Sequence, residues 1–380
     1  MVMPRQMLID AVRGRAPIIR GEHIRDDQFQ PATMDMRLGP TIHAVSTSFL
    51  PPGSHDSILD LVKRLSHYNF ELSQDKTHHL DVNKIYMVPL MEHCEFPENT
   101  RMFFSPKSSV GRNDVHVRVV AEGYPYYDRT PFGYKGPLWV QIAPQSFHVG
   151  VRAELALVQG RIKTRDSHRL TTDEIYHMHE KYGIAYDSSG KVLSPNGQVK
   201  VHEGTMHFHI DLERDVVGFK AKRNVGKQLD LSAEPNTYDP KEFWEPLYRQ
   251  PDGCLVLDSG EFYLLATQER VSIPPECCGE LLPVDPSLGE FRVHYAGFFD
   301  NGFGGKNGTH GVLEVRSSGR PFMMQHGKPV CSMAFERTFE IPDQLYGAGG
   351  SSYTEPHPSL SKHFLHRYDS WTLKHQASRF

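Results

Sequence analysis

The chain contains an internal repeat, and this repeat limits the possible folds more than any other feature of the sequence. At two places the dipeptide Leu-Asp is followed by a proline sixteen residues after the aspartate, from Asp81 to Pro97 and from Asp258 to Pro274. The segments inside the two copies, KIYMVPLMEHCEF and EFYLLATQERVSI, both have the composition of β-strands. Upstream, ATMDMRLG and GTMHFHID each follow a predicted helix. Similar motifs in the same order predict two related halves.

The composition favours short strands over long helices in both halves. The 380 residues include 31 glycines and 27 prolines, which end regular elements and form turns. We place the first half at residues 1–165 and the second half at residues 166–380. Alternating apolar residues predict a half-buried strand within Gln30–Gly39. Helices are predicted at Arg5–Gly14, at Ser54–Phe70 and after the capping box Thr171-x-x-Glu174.

Charge and hydropathy exclude several classes of function. The formal net charge of −4 gives no general attraction for a nucleic acid polymer. No apolar run is long enough to span a membrane, and the first residues lack the apolar segment of a secretory signal. The five cysteines are odd in number and scattered, unlike a disulfide framework. We therefore expect reduced thiols, a cytoplasmic location, and neither a membrane nor a nucleic acid polymer as partner.

The segment KSSVGR has the residue types of a phosphate-binding loop. The hydroxyls of Ser108 and Ser109 and the backbone N–H groups around Gly111 can donate hydrogen bonds to phosphate oxygens. Lys107 and Arg112 add positive charge, and a guanidinium can bind two phosphate oxygens at once. An ordinary polar turn would have a similar composition, so the segment alone leaves both interpretations open.

A second motif, AGFFDNGFGG, predicts a glycine-rich hairpin. Its backbone can lie against a flat ring, its phenylalanines can stack on that ring, and its aspartate can bind a sugar hydroxyl. The candidate contact residues are Ala296, Gly297, Phe298, Phe299, Asp300 and Phe303.

Glu314 lies in the strand predicted after this hairpin, within the sequence LEV. A carboxylate between apolar neighbours needs a partner or a function to offset its burial. A general base and a structural salt bridge are both consistent with the pattern.

Together these motifs resemble those of the dCTP deaminase and dUTPase superfamily, in particular the tandem-domain dCTP deaminases of bacteria. KSSVGR is similar to the serine–serine–arginine phosphate motif, AGFFDNGFGG…LEV to the nucleoside-binding hairpin and catalytic strand, and QPATMDMRLG to the early strand. The tail at Leu345–Ser361 resembles the family's mobile lid. The resemblance implies a mainly β fold of two tandem dUTPase-like domains, each a distorted β-barrel or jelly roll with a few short helices.

The resemblance also implies an activity, the hydrolytic deamination of dCTP to dUTP in pyrimidine deoxynucleotide synthesis. Deaminases of the family carry a glutamate in the strand after the hairpin, where this chain has Glu314, whereas dUTPases carry an apolar residue there. It assigns Glu314 as the general base on a water molecule and Ser108 as a residue that orients this water. The backbone at Ala296 and Gly297 would hold the edge of the base.

The two halves retain complementary parts of this site. In place of Arg112 the second half has Glu290, which would repel a triphosphate. In place of Glu314 the first half has Gln141, which cannot accept a proton at neutral pH. We therefore predict a composite site, with the phosphates on the first half and the base and sugar on the second. The halves would meet either within one chain or between the chains of a homo-oligomer.

The sequence predicts no metal bound by the protein itself. The H-x-E…P-C-x-x-C signature of the zinc-dependent nucleobase deaminases is absent. His177 and His179 do not share a helix face, and His207 and His209 lack an evident third ligand. Mg²⁺ is expected to accompany the triphosphate and to be bound mainly by phosphate oxygens.

Other functions stay open at this point. The motifs are compatible with a dUTPase or with a bifunctional enzyme that converts dCTP through dUTP to dUMP. Because each half has lost part of the site, a catalytically silent nucleotide-binding protein is a third interpretation. Inhibition by dTTP is likewise left open.

Overall fold

The computed structural model describes residues 1–51, 57–195, 197–223, 225–282, 297–317, 319–348 and 360–365, and the backbone of residues 291–294. Strands dominate the regular structure, which confirms the predicted mainly β class. None of the helices in these residues is long and apolar enough to cross a lipid bilayer. The helices are α1 (Arg5–Arg13), α2 (Ile58–Leu65), α3 (Ser108–Gly111), α4 (Thr172–Tyr182) and α5 (Pro240–Phe243), and a 3-10 turn covers Asp26–Gln28.

Local sequence explains where two of these helices begin and end. At α4 the Thr171 Oγ1 accepts a hydrogen bond from the Glu174 N–H (3.3 Å), and a Glu174 oxygen accepts one from the Thr171 N–H (2.9 Å), which is the predicted capping box. Gly183, at φ +73°, follows the last turn. The prediction of a helix over Ser54–Phe70 is too long. The helical periodicity ends with α2, and from Ser66 the chain forms a strand.

The first half forms three groups of strands. One sheet has the order β4-β3-β6-β9-β8 with β1 paired to β6, a second has the order β2-β11-β7, and β5 pairs with β10. The strands are β1 (Ile19–Arg20), β2 (Met34–Arg37), β3 (Thr41–Val45), β4 (Ser66–Glu71), β5 (His78–Leu80), β6 (Ile85–Glu95), β7 (Thr100–Pro106), β8 (Val115–Ala121), β9 (Lys135–Pro144), β10 (Val149–Val151) and β11 (Ala156–Thr164).

The second half repeats this arrangement. Its strands are β12 (Ala185–Tyr186), β13 (Lys200–His202), β14 (Thr205–His209), β15 (Val216–Ala221), β16 (Leu229–Asp230), β17 (Trp244–Tyr248), β18 (Cys254–Leu257), β19 (Phe262–Val271), β20 (Cys277–Leu282), β21 (Phe291–His294), β22 (Phe298–Phe299), β23 (Thr309–Ser317), β24 (Phe322–Gln325) and β25 (Pro329–Arg337). One sheet has the order β17-β15-β19-β23-β21 with β12 paired to β19, the same order as in the first half. A second sheet has the order β13-β14-β25-β20-β22, and β18 pairs with β24.

The repeated Leu-Asp motif makes the same hydrogen bond in both halves. The Asp81 N–H donates to the Tyr86 hydroxyl (3.0 Å), and the Asp258 N–H donates to the Tyr263 hydroxyl (2.8 Å). The tyrosine five residues after the aspartate therefore fixes the chain where it enters the long central strand, β6 or β19.

The strand β2 is more deeply buried than its sequence predicts. The alternation in Gln30–Gly39 predicts a half-buried strand, but all four residues of β2 are buried, so this prediction is wrong. Its polar residues are paired rather than exposed, since Asp35 forms an ion pair with Lys107 and the Arg37 guanidinium lies 2.8 Å from Glu92. Paired charges can occupy buried positions that a simple polarity pattern assigns to solvent.

One hydrophobic cluster spans the two halves, and the second half has a further cluster of its own. Phe147 of the first half packs edge-on against Phe243 and Trp244 of the second, with ring centroids 5.3 and 5.4 Å apart. The strand β16 of the second half also pairs with β10 of the first. Burial of aromatic area at this junction fixes one half against the other and positions the cavity between them.

Candidate active site

The phosphate-binding segment forms a single helical turn directly after β7. Hydrogen bonds from the Val110 and Gly111 N–H groups to the Lys107 carbonyl (2.8 and 3.1 Å) close the turn, so the prediction that the N–H groups around Gly111 donate to phosphate is wrong. Lys107, Ser108, Ser109 and Arg112 line a cavity of about 390 Å³ between the two halves. Two hydroxyls and two cations thus face one space, an arrangement suited to a polyanion.

The opposite wall of the cavity comes from the second half. Gly297, Phe298, Phe299, Asp300 and Phe303 line it, so five of the six predicted nucleoside contacts share one space with the phosphate-binding segment. Ala296 lies outside the described residues. Phe299 and Phe303 meet edge to face with centroids 4.9 Å apart, and together they provide an aromatic surface for a flat ring.

The predicted hairpin is wrong in its connectivity. The strand β22 pairs with β20, whereas β23 pairs with β19 and β21 in a different sheet. The glycine-rich turn therefore links two sheets. Gly304, at φ +81°, lies in this turn where a Cβ atom would be 2.1 Å from the Val271 carbonyl oxygen, so that only glycine fits.

Asp300 is held by residues of the first half. One of its oxygens lies 3.2 Å from the Arg161 guanidinium, and the other accepts a hydrogen bond from the Thr33 hydroxyl (3.0 Å). Burial raises the pKa of Asp300, while Arg161 and Thr33 oppose the rise. Arg161 also lies 4.2 Å from the centroid of the Phe298 ring. The contact of Asp300 with a sugar hydroxyl stays a prediction, and these contacts give it a second role as an anchor.

Glu314 lies against the phosphate-binding segment of the same chain. It occupies β23 on the face that also carries the cavity-lining His310 and Val312, and only 7% of it is exposed. A Cβ atom on Gly111 would lie 2.6 Å from Glu314 Oε2, so the glycine allows this approach. Glu314 is not among the residues that line the cavity.

The surroundings of Glu314 favour its protonated form. Burial raises its pKa well above the ordinary value, the charge of Arg112 lowers it, and the charge of Asp114 raises it further. A carboxyl group with a raised pKa can exchange protons near neutral pH, which is a requirement for general acid–base catalysis.

Asp114 is a site residue that sequence reasoning missed. It is fully buried, forms an ion pair with Arg316 on β23, and accepts a hydrogen bond from the Ser146 hydroxyl (2.5 Å). Burial raises its pKa to about 7, against the opposing charge of Arg316. Its position two residues after Arg112 is the one indication in the sequence that Asp114 belongs to the site. The sequence does not indicate that Arg316 pairs with it.

Three more residues, two from the first half and one from the tail, line the cavity although no sequence motif predicts them. Lys362 and Arg5 add positive charge to the cavity, and Gln159 adds an amide. Burial lowers the pKa of Lys362, and the nearby charge of Lys107 lowers it further. Of the predicted lid, Leu345 and Tyr346 contribute to the cavity, while residues 349–359 lie outside the described residues.

The altered counterparts in the first half have other partners. Asp128, in the region matching the second-half hairpin, forms an ion pair with Arg118. Gln141, on the strand that matches β23, is buried with its Oε1 unpaired among the described residues. Glu290, the counterpart of Arg112, lies outside the described residues.

Two of the four histidines considered as metal ligands are held by other groups. His179 is buried, with Nε2 bonded to the Leu193 carbonyl (2.7 Å) and Nδ1 accepting from the Ile184 N–H (3.0 Å). His209 Nδ1 is 2.5 Å from a Glu269 oxygen. Both therefore have structural partners.

Comparisons with known proteins agree with this geometry. A crystal structure of 2′-deoxycytidine 5′-triphosphate deaminase from Agrobacterium tumefaciens matches with a TM-score of 0.81 and 35% identity, over 92% of this chain and 98% of that one. A "dCTP deaminase, dUMP-forming" from Beutenbergia cavernae is 33% identical over 125 residues, 30% of this chain. A "probable deoxyuridine 5′-triphosphate nucleotidohydrolase" from Methanopyrus kandleri is 29% identical over 94 residues, 25% of this chain. These alignments span 62% and 56% of the two relatives' own lengths.

Family models cover nearly the whole chain. The N-terminal domain model of 2′-deoxycytidine 5′-triphosphate deaminase matches residues 1–166, and the C-terminal domain model matches residues 174–364. The resemblance drawn from the motifs is thereby confirmed, and the chain belongs to the 2′-deoxycytidine 5′-triphosphate deaminase family.

Proposed function

We propose that the cavity binds dCTP and that the chain deaminates it hydrolytically to dUTP and ammonia. The observation that carries this proposal is the contact between Gly111 and the Glu314 carboxylate, which joins the phosphate-binding segment to the acid–base residue within one chain. The triphosphate would lie on Lys107, Ser108, Ser109 and Arg112, with Lys362 nearby. The base would lie against the aromatic wall.

The proposed step uses Glu314 to move protons. As a carboxylate it takes a proton from water while the oxygen attacks C4 of cytosine, and as a carboxylic acid it gives that proton to N3. The proton of the new C4 hydroxyl then passes to the amino group, the C4–N4 bond breaks, and ammonia leaves as the C4 carbonyl forms. Ser108, on the same helical turn as Gly111, is suited to orient the water.

Mg²⁺ would enter with the triphosphate as part of the substrate. Asp26 and Asp27 lie at the cavity, and their carboxylates are largely exposed although each is paired with an arginine, so a hydrated cation on the phosphates can reach them. Asp35 is a poorer candidate because it is buried as well as paired with Lys107.

A second candidate is the further hydrolysis of dUTP to dUMP and pyrophosphate. The sequence match to a dUMP-forming relative favours including it in the test. The purified chain would be incubated separately with dCTP and with dUTP, and the products resolved by ion-exchange chromatography. We expect dUTP and ammonia from dCTP. Untouched dCTP with conversion of dUTP to dUMP would overturn the proposal, and dUMP from both substrates would establish the bifunctional alternative.

Three further predictions concern the location, the inhibition and the assembly of the protein. A cytoplasmic location remains a prediction, supported by the five cysteines, which form no disulfide in the described residues. Inhibition by dTTP and assembly into a homo-oligomer also remain predictions, and each can be measured on the purified chain.

A further inference from the structure

Three potential metal ligands converge at a ribbon of the first half, away from the cavity. His79 lies in β5, Asp81 follows it, and His148 directly precedes β10. In the antiparallel register Val149 faces Leu80 and Gly150 faces His79, so His148 faces Asp81. Residues two apart on a strand share a face, as do directly opposed residues on paired strands. All three side chains therefore lie on one face of the ribbon.

We propose that His79, Asp81 and His148 bind a divalent transition-metal ion of the Zn²⁺ type, with water in the remaining position. The three ligand atoms lie within 4.8 Å of one another. His79 Nε2 is 3.0 Å and His148 Nδ1 is 3.3 Å from the same oxygen of Asp81. Ligands about 2 Å from a tetrahedral zinc ion lie roughly 3.3 Å apart, which these separations approach.

A second contact orients one of the ligands. The other ring nitrogen of His79, Nδ1, lies 2.9 Å from Gln228 Oε1, an atom that can only accept a hydrogen bond. Nδ1 therefore carries a proton, and a bound ion would replace the hydrogen bond between Nε2 and Asp81 (3.0 Å) with a bond from each of these atoms to the metal. Metal-bound histidines usually have such a partner on the second nitrogen, which fixes the tautomer and the ring orientation.

The second half contributes to the placement of this site. Gln228 directly precedes β16, and the Leu229 N–H donates to the His148 carbonyl (2.9 Å). The rings of His79 and His148 stack with centroids 5.0 Å apart. A bound ion would hold the β5–β10 ribbon in the geometry that accepts β16, and would stabilise the junction between the halves by binding only the folded chain.

One nearby charge opposes the cation. The Lys84 ammonium lies 3.6 Å from the second oxygen of Asp81, leaving the first oxygen to the two histidines. Removal of this positive charge should strengthen binding, whereas removal of a ligand should weaken it. The two changes therefore act in opposite directions on the same measured affinity.

The test is titration of the full chain, without nucleotide, with Zn²⁺ alone by isothermal calorimetry. We expect one ion per chain, at least a tenfold loss of affinity in His79→Ala and in His148→Ala, and a gain in Lys84→Met. His202→Ala and His207→Ala remove another pair of neighbouring histidines and should leave affinity unchanged. Thermal unfolding without metal checks that each variant is folded, and Zn²⁺ should raise the Tm of the parent chain more than that of His79→Ala.

Co²⁺ distinguishes this site from binding at cysteine. Co²⁺ held by two histidines and a carboxylate should give visible ligand-field bands without the intense near-ultraviolet bands of a thiolate complex. Absence of stoichiometric Zn²⁺ binding, or binding that is equal in the parent chain and both ligand variants, would overturn the proposal. Thiolate bands that persist in those variants would move the ion to a cysteine site and would equally overturn it.

Discussion

At the scale of single residues, the proposed chemistry depends on a carboxyl group held where its charged form is disfavoured. Glu314 is buried on β23 beside Gly111, and burial raises its pKa. Replacement by glutamine keeps the size and much of the polarity but removes the proton exchange. We expect Glu314→Gln to retain dCTP binding and to lose about 10²–10⁴-fold in kcat.

Steady-state kinetics and calorimetric binding of dCTP check this prediction. Glu269→Gln is the matched control, because Glu269 is also a largely buried strand carboxylate but bonds to His209. Turnover of Glu314→Gln at the parental rate would remove Glu314 from the mechanism.

Gly111 is the residue that allows the two halves of the site to touch. A methyl group here would meet the Glu314 carboxylate at 2.6 Å, so Gly111→Ala must shift either the phosphate-binding turn or the acid. Misplaced catalytic groups lose rate even when binding survives, and we expect at least a tenfold fall in kcat/KM. Gly226→Ala, where nothing lies within 4 Å of the added methyl, is the control. Parental kcat/KM in Gly111→Ala would contradict the contact.

At the scale of elements, Asp114 connects the turn predicted to bind phosphate to β23, the strand that carries Glu314. Its carboxylate raises the pKa of Glu314 and pairs with Arg316, two residues further along β23. In Asp114→Asn this negative charge is gone, so the pKa of Glu314 should fall. The acidic limb of the kcat/KM profile, which reports ionisation of the free enzyme, should then move to lower pH.

The pH profile of Asp114→Asn is compared with that of Asp10→Asn, which removes an exposed carboxylate from α1. A loss of activity that is equal at all pH values would indicate a structural role for Asp114 only. An acidic limb that moves to higher pH would contradict the sign of its effect on Glu314.

The elements also show which features of the fold and the site can be predicted from the sequence. The periodic spacing of apolar residues and the capping box predict α1 and α4, because both signals are local. The hairpin prediction failed because AGFFDNGFGG fixes a turn but not the strand partners, which here belong to two sheets. Arg161 and Lys362 could not be predicted as site residues for the same reason. Each reaches the site through long-range packing, and neither stands in a local motif.

At the scale of the whole molecule, the segment predicted to bind phosphate and the proposed acid–base residue come from different halves of one chain. A shared aromatic core and the pairing of β10 with β16 hold the halves together. The complementary substitutions inferred from the sequence, Gln141 for glutamate and Glu290 for arginine, agree with one composite site of this kind. Whether activity ever needs a second chain can therefore be tested with two inactive variants.

Arg112→Ala impairs the phosphate-binding segment and Glu314→Gln impairs the acid, so each variant alone should be nearly inactive. If every site is built within one chain, a mixed assembly of the two variants contains no intact site. We expect the two variants, coexpressed with different affinity tags and purified through both tags, to show no more turnover than either alone. If the chain proves to be a monomer by mass measurement, simple mixing makes the same test.

Parental chain coexpressed with Glu314→Gln should give about half the parental turnover per chain, because each parental chain carries its own site. Recovery by the doubly tagged assemblies to about half of parental turnover in a dimer, or about a third in a cyclic trimer, would mean that sites form between chains, because one pairing in each such assembly combines an intact phosphate-binding segment with an intact acid.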